Sequence, residues 1–160
     1  MAAAGPPSGC HHTLARVSTV EDSFELERFV KAQDERGSYP AAVAELRRGA
    51  KTGHWMWYVF PQIAGLGLSA MSQRYAITSL DEAGAYLRHD VLGPRLRECA
   101  AILAGTTRRS AEQIFGSIDA VKLRSSMTLF LRAAPDEPVF QQVLDQFFDG
   151  SPDPATDRRL

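Results

Sequence analysis

Nine consecutive residues, His54-Trp55-Met56-Trp57-Tyr58-Val59-Phe60-Pro61-Gln62, hold both tryptophans of the chain together with a tyrosine, a phenylalanine and a histidine. Indole and phenol rings offer faces against which a flat ligand stacks, and His54, Gln62 and the nearby Lys51 are polar handles that would orient it. Imidazole titrates near neutrality, which makes His54 the best single candidate for acid–base chemistry. Directly after comes Gly65-Leu66-Gly67-Leu68-Ser69-Ala70, a formal match to G-x-G-x-x-A. The dinucleotide fingerprint needs a strand before the glycines, a helix opening from them and a parallel sheet around both. Here Pro61-Gln62-Ile63-Ala64 intervenes and no βαβ unit follows, so that fold is not expected. A tight glycine turn can still offer backbone N–H groups to a phosphate, and Arg74 would add charge to it. The candidate site is therefore His54 as the acid or base, with Lys51, Trp55, Trp57, Tyr58, Gln62, Gly65, Gly67, Arg74 and Glu27 as ligand contacts. The rival reading is a non-enzymatic interaction or scaffold domain whose aromatic block is simply core, since cores and pockets draw on the same residue types. Burial of the indoles separates the two.

Other chemistry is weaker. Lys122 and Ser126 stand four apart on a helical pattern, but the order is the reverse of S-x-x-K and no G-x-S-x-G elbow is present. The simpler expectation is that Lys122 and Arg124 reach the surface while the serines bond back to carbonyls. Cys10-His11-His12 are too close in sequence to wrap one ion, and no metal or cofactor is implied. Asp81 and Glu82 read as capping residues rather than a catalytic carboxylate pair.

The elements that must position these groups read as helices. The chain has 160 residues, the length of one domain, and can bury roughly 70% of the surface its unfolded form exposes. Eighteen Lys plus Arg against nineteen Asp plus Glu give a net charge of −1, which argues against duplex nucleic acid as a partner. No apolar run approaches the ~20 residues a membrane span requires, and the N-terminus lacks a secretory pattern. With only Cys10 and Cys99, a reducing cytoplasm is the expected setting. Residues 1–21, rich in Ala, Gly, Pro and Ser, read as a flexible tail, and 22–157 as one all-α, compact multihelical domain in an orthogonal array.

Asp22 or Ser23 is expected to cap a helix carrying Phe24, Leu26, Phe29 and Val30. Pro40 suits the first turn of a second helix that Gly49 ends. Ser79-Leu80-Asp81-Glu82 and Ser110-Ala111-Glu112-Gln113 are capping boxes, and Gly116 closes the short helix opened by the latter. Leu92, Leu96, Cys99, Ala100 and Leu103 recur at three and four. The segment from about Asp119 to Ala133 carries Leu123, Met127 and Phe130 with Val121, Leu129 and Leu131, the pattern of a central helix buried on several sides. Asp136 is expected to cap a last long helix that stops at Gly150. The aromatic block itself reads as a short buried helix or turn.

Several of these strings resemble one known family. They are Phe29-Val30-Lys31-Ala32-Gln33, the run Gly49 to Gln62, Gly65-Leu66-Gly67, Val91-Leu92-Gly93-Pro94-Arg95-Leu96, Ile114-Phe115-Gly116 and Lys122 to Phe130. The chain is similar over about residues 23–157 to the bacterial domain-of-unknown-function family 1810, some members of which are labelled calpastatin. The T-I-P-P-x-Y-R inhibitory motif of calpastatin is absent. The resemblance implies a mainly helical single domain and no activity. A fainter likeness, of Glu27-Arg28-Phe29-Val30-Lys31-Ala32-Gln33-Asp34 to the E-x-[YF]-F-Q-A-x-K string of NADAR domains, implies an ADP-ribose conjugate as ligand, with Asp34 where that family has lysine. The functional expectation is a small-molecule binding protein, for a nucleotide or ADP-ribose-like ligand, with its site around the His-Trp-Met-Trp block.

Overall fold

Apolar residues spaced three and four apart recur through the second half of the chain. In the computed structural model, which describes residues 22–160, each such run is a helix. The tail expected over 1–21, with Cys10, His11 and His12, lies outside the described residues. The helices are α1 (Glu27–Asp34), α2 (Ser38–Arg48), α3 (Met56–Val59), α4 (Ala70–Arg74), α5 (Leu80–Arg88), α6 (Leu92–Ala104), α7 (Ala111–Ala133), α8 (Pro138–Phe148) and α9 (Pro154–Asp157). A single 3-10 turn, Glu35–Gly37, joins α1 to α2. The described residues contain no strand; an isolated parallel bridge pairs Ile63 with Ile77. The fold is all-α.

Helix α7 is the axis. Its Leu123, Met127, Leu129 and Phe130 are fully buried, because α5, α8 and α9 pack on it from different sides. Val121, grouped with the buried positions by its sequence neighbours, instead lies exposed: no described element covers it. Gly116, at φ +81°, interrupts the helix and lets it restart at a new angle, the stop expected there being a kink. Gln33 of α1 is buried and links that helix to α3, α5 and α6. Its Nε2 donates to the Tyr58 carbonyl (2.7 Å) and the Tyr86 hydroxyl (3.2 Å), while its Oε1 accepts from Arg95 (3.2 Å). Burial pushes the Tyr86 phenol well above its usual range, so it stays neutral as a hydrogen-bonding group.

Helix caps separate what local sequence decides from what tertiary contacts override. Ser110 and Gln113 form the full reciprocal box at the start of α7. Ser79 supplies only half of one: its Oγ accepts from the Glu82 N–H (3.1 Å), but the Glu82 carboxylate does not turn back. It is claimed by Thr78 N–H (2.9 Å), Thr78 Oγ (2.8 Å) and Arg28 Nη2 (3.0 Å). A buried carboxylate gains more from a guanidinium than from one amide. Neither Asp22 nor Ser23 is the N-cap of α1. Glu25 turns the chain at φ +55°, the helix opens at Glu27, and Asp22 accepts from that residue's N–H across the turn (3.3 Å). Asp136 likewise gives way to Glu137 at the start of α8, whose carboxylate is held by a two-pronged contact with Arg97 (2.6 and 2.9 Å).

Candidate functional site

Pro61 limits the aromatic block to the single turn α3, and one turn points its side chains in opposed directions. Trp55, just ahead of it, faces the core and is 2% exposed. Its Nε1 donates to Glu45 Oε1 (3.1 Å), and its ring meets Phe115 edge-on at 6.3 Å. The same carboxylate oxygen accepts the backbone N–H groups of Thr52 and Gly53. Burial opposes the charge on Glu45; these donors, Gly53 first, outweigh burial and hold the carboxyl below its usual range. Lys51 is spent in the same place. Its Nζ pairs with Asp119 (2.8 Å), donates to the Gly53 carbonyl (2.6 Å) and lies over the Trp55 ring (5.2 Å). Trp55 and Lys51 therefore belong to the core, and neither borders a ligand-sized cavity among those described.

Trp57 lies on the other side. Its ring borders a cleft of about 750 Å³, within the size range of small-molecule sites. Gln62, Gly65, Gly67 and Arg74 border the same cleft, so five of the ten sequence candidates meet there. The Trp57 N–H is buried with no acceptor among the described residues, and Lys122 covers the ring from 5.0 Å. Asp119 reaches Lys122 as well (3.5 Å), so Lys122 is not paired with Ser126, whose buried hydroxyl has no described partner. Ser125 does bond back to a carbonyl, that of Val121 (3.1 Å).

One half-buried arginine builds the far wall. Arg28 donates to the carbonyls of Phe24 (2.6 Å), Glu25 (3.0 Å), Arg74 (2.9 Å) and Ala76 (2.9 Å), and pairs with Glu82 at 3.0 Å. It thereby staples the entry to α1 onto the end of α4. The backbone of Arg74 is fixed, while its exposed guanidinium lies over the adjacent Tyr75 ring, 5.5 Å from the centroid. Gly67 sets the rim: a Cβ there would come within 2.5 Å of Ser72 Oγ, so any side chain would push α4 away from the turn. Gly65, at φ +95°, has the Arg159 side chain against it.

His54 and Tyr58, neighbours at the helical spacing of four, border a second, shallower depression together with Arg36, Arg74 and Tyr75. Tyr58 shares a short hydroxyl contact with Ser38 (2.6 Å). His54 is exposed and has no hydrogen-bond partner among the described residues, so nothing there orients its ring. Glu27 is not brought to either hollow; it lies 3.5 Å from His89 on the outer face of α1. Glu45, Arg28 and Tyr75 escaped sequence reasoning. Arg28 and Glu82 are 54 positions apart, and only the fold joins them.

The chain matches the model of a family described as a protein of unknown function (DUF1810) over residues 23–160. It is also similar to the crystal structure of a conserved hypothetical protein from Mycobacterium tuberculosis. That likeness has 50% sequence identity and a TM-score of 0.82, and covers 86% of this chain and 96% of the mycobacterial one. No curated protein matches the chain.

Proposed function

Because the chain belongs to the DUF1810 family, whose function is unknown, we propose a function from the site alone: it binds a small nucleotide-like molecule in the Trp57 cleft. The observation that carries this reading is the meeting of an aromatic wall with an uncommitted cation. Trp57, Phe24 and Tyr75 give the cleft flat apolar surface, and Arg74 forms no ion pair among the described residues. Gln62, Gln73 and Thr78 add groups that both donate and accept, as recognition of a base or sugar requires. The reading is one of binding. General acid–base work by His54 would need an orienting partner, and the described residues supply none. The setting we propose is a bacterial cytoplasm, on the strength of the mycobacterial neighbour and of Cys99, a free buried thiol.

A thermal-shift screen of nucleosides and their 5′-phosphates, across the four common bases, tests the proposal. A ligand at a hundred times its Kd should stabilise the fold by about 2.7 kcal/mol. Arg74→Ala should fold as well as the parent, because its side chain is exposed, and should lose most of the response to phosphorylated members. An unchanged melting point across the whole panel would sink the reading. A protein-interaction role is favoured by a different observation: Ile118 and Val121, three apart on α7, are 73% and 63% exposed, and Leu68 is 89% exposed. Under the nucleotide reading, Ile118→Lys leaves every thermal shift unaltered.

A further inference from the structure

Arg74 and Tyr75 border both hollows, the Trp57 cleft and the His54 depression, so they form the ridge between them. The ridge is rigid. Tyr75 is wedged against Phe29 (5.8 Å) and Tyr58 (5.5 Å), and Arg28 pins the Arg74 carbonyl. The hollows differ in charge. Arg28 and Glu82 neutralise each other in the cleft, where Glu25 is the remaining acid beside the shared Arg74. In the depression Arg36 and the shared Arg74 face Glu35 alone, with the imidazole of His54 beside them. Neither arginine forms an ion pair among the described residues. Arg36 is also held at φ +53°, directly before Gly37 at φ +64°, a backbone that side-chain-bearing residues rarely take.

A neutral aromatic cleft that opens over one shared arginine into a cationic depression fits a ligand with an uncharged ring at one end and negative charge at the other. Resting on the nucleotide reading above, we infer that the His54–Arg36 depression is the second subsite of a bipartite ligand, a nucleoside carrying two or more linked phosphates. The base and sugar lie in the cleft against Trp57, the first phosphate meets Arg74, and the next reaches Arg36 and His54. A nucleoside or a monophosphate would fill the cleft and leave the depression unused.

Calorimetric titration of the full chain tests this with three probes sharing the best-bound base: the nucleoside, its 5′-monophosphate and its 5′-diphosphate. The diphosphate should bind at least about tenfold more tightly than the monophosphate, the increment expected of one charge-assisted contact. Arg36→Gly keeps the left-handed backbone and should erase that increment, leaving nucleoside affinity within about twofold of the parent. Arg36→Lys, which retains the charge, should restore part of it, and His54→Gln should lose less than Arg36→Gly. Equal affinities for the mono- and diphosphate in the parent would overturn the inference while the cleft reading stood. So would an Arg36→Gly variant that lost nucleoside and diphosphate affinity in equal measure. If no probe of any base bound, the cleft reading would fall and this one with it.

Discussion

Trp55 and Trp57 are two residues apart, carry the same side chain, and each lies under a lysine bonded to the same aspartate, Asp119. They nevertheless serve opposite ends. Around Trp55 every polar group is matched: one Glu45 oxygen collects the indole N–H and two backbone N–H groups, and Lys51 is tied to a carboxylate and a carbonyl. Around Trp57 the accounting is open: an indole N–H without an acceptor, a ring bordering a cleft, and an exposed guanidinium without an ion pair among the described residues. Aromatic content is equal on both sides and so cannot distinguish core from site. Polar satisfaction does, because a folded interior leaves few donors unmatched without a reason.

The sharpest way to break this comparison is to strip the satisfied side of its acceptor. Glu45→Ala would leave the N–H groups of Thr52, Gly53 and Trp55 unpaired around the removed carboxylate. The expected loss is about 2–4 kcal/mol of unfolding free energy, read as a lower urea midpoint at unchanged slope. A variant as stable as the parent would mean that the network is decorative.

A gentler probe is pH. The Glu45 carboxyl is held below its usual range in the folded protein, so its charge stabilises the fold above the unfolded glutamate value, about 4.3. That contribution fades as the pH falls from there through the depressed folded value, when both states become protonated. Glu45→Gln keeps an acceptor oxygen and removes the charge. The stability gap between parent and variant should be constant near neutrality and close below about pH 4. Asp153 falls below its usual range too, because hydroxyls of Thr156 and Ser125 outweigh its burial. Its share of the acid limb survives in Glu45→Gln and supplies an internal control. A gap that widened on acidification would reverse the sign and reject the account.

The helices themselves were largely legible, because spacing and caps are local. Ser110 and Gln113 need only each other, and Gly49 at φ +75° ends α2 by its own conformational freedom. The site was half legible for the same reason. Trp57, Gln62, Gly65, Gly67 and Arg74 lie within one short stretch and converge on one cleft. What stayed hidden depends on contacts between distant segments. Glu82 reads as a capping residue, but the fold gives its carboxylate to Arg28, and nothing local marks Glu45 as the acceptor onto which the chain folds Thr52 and Gly53. No property of Trp55 or Trp57 alone says which of them meets Glu45.

The smallest expected effect on stability falls at Trp57 itself. Trp57→Phe removes some apolar area and the contact with Lys122, both of which weaken the fold. It also removes a donor that is buried without an acceptor, which offsets them. The net change should lie within about 1 kcal/mol, well under the loss at Glu45→Ala. Nucleoside affinity should nonetheless fall by at least about tenfold, since the wider indole surface is lost from the cleft wall. A variant that kept its affinity would remove Trp57 from the site. One that lost as much stability as Glu45→Ala would show the two tryptophans to be equally structural, and the distinction drawn between them would be gone.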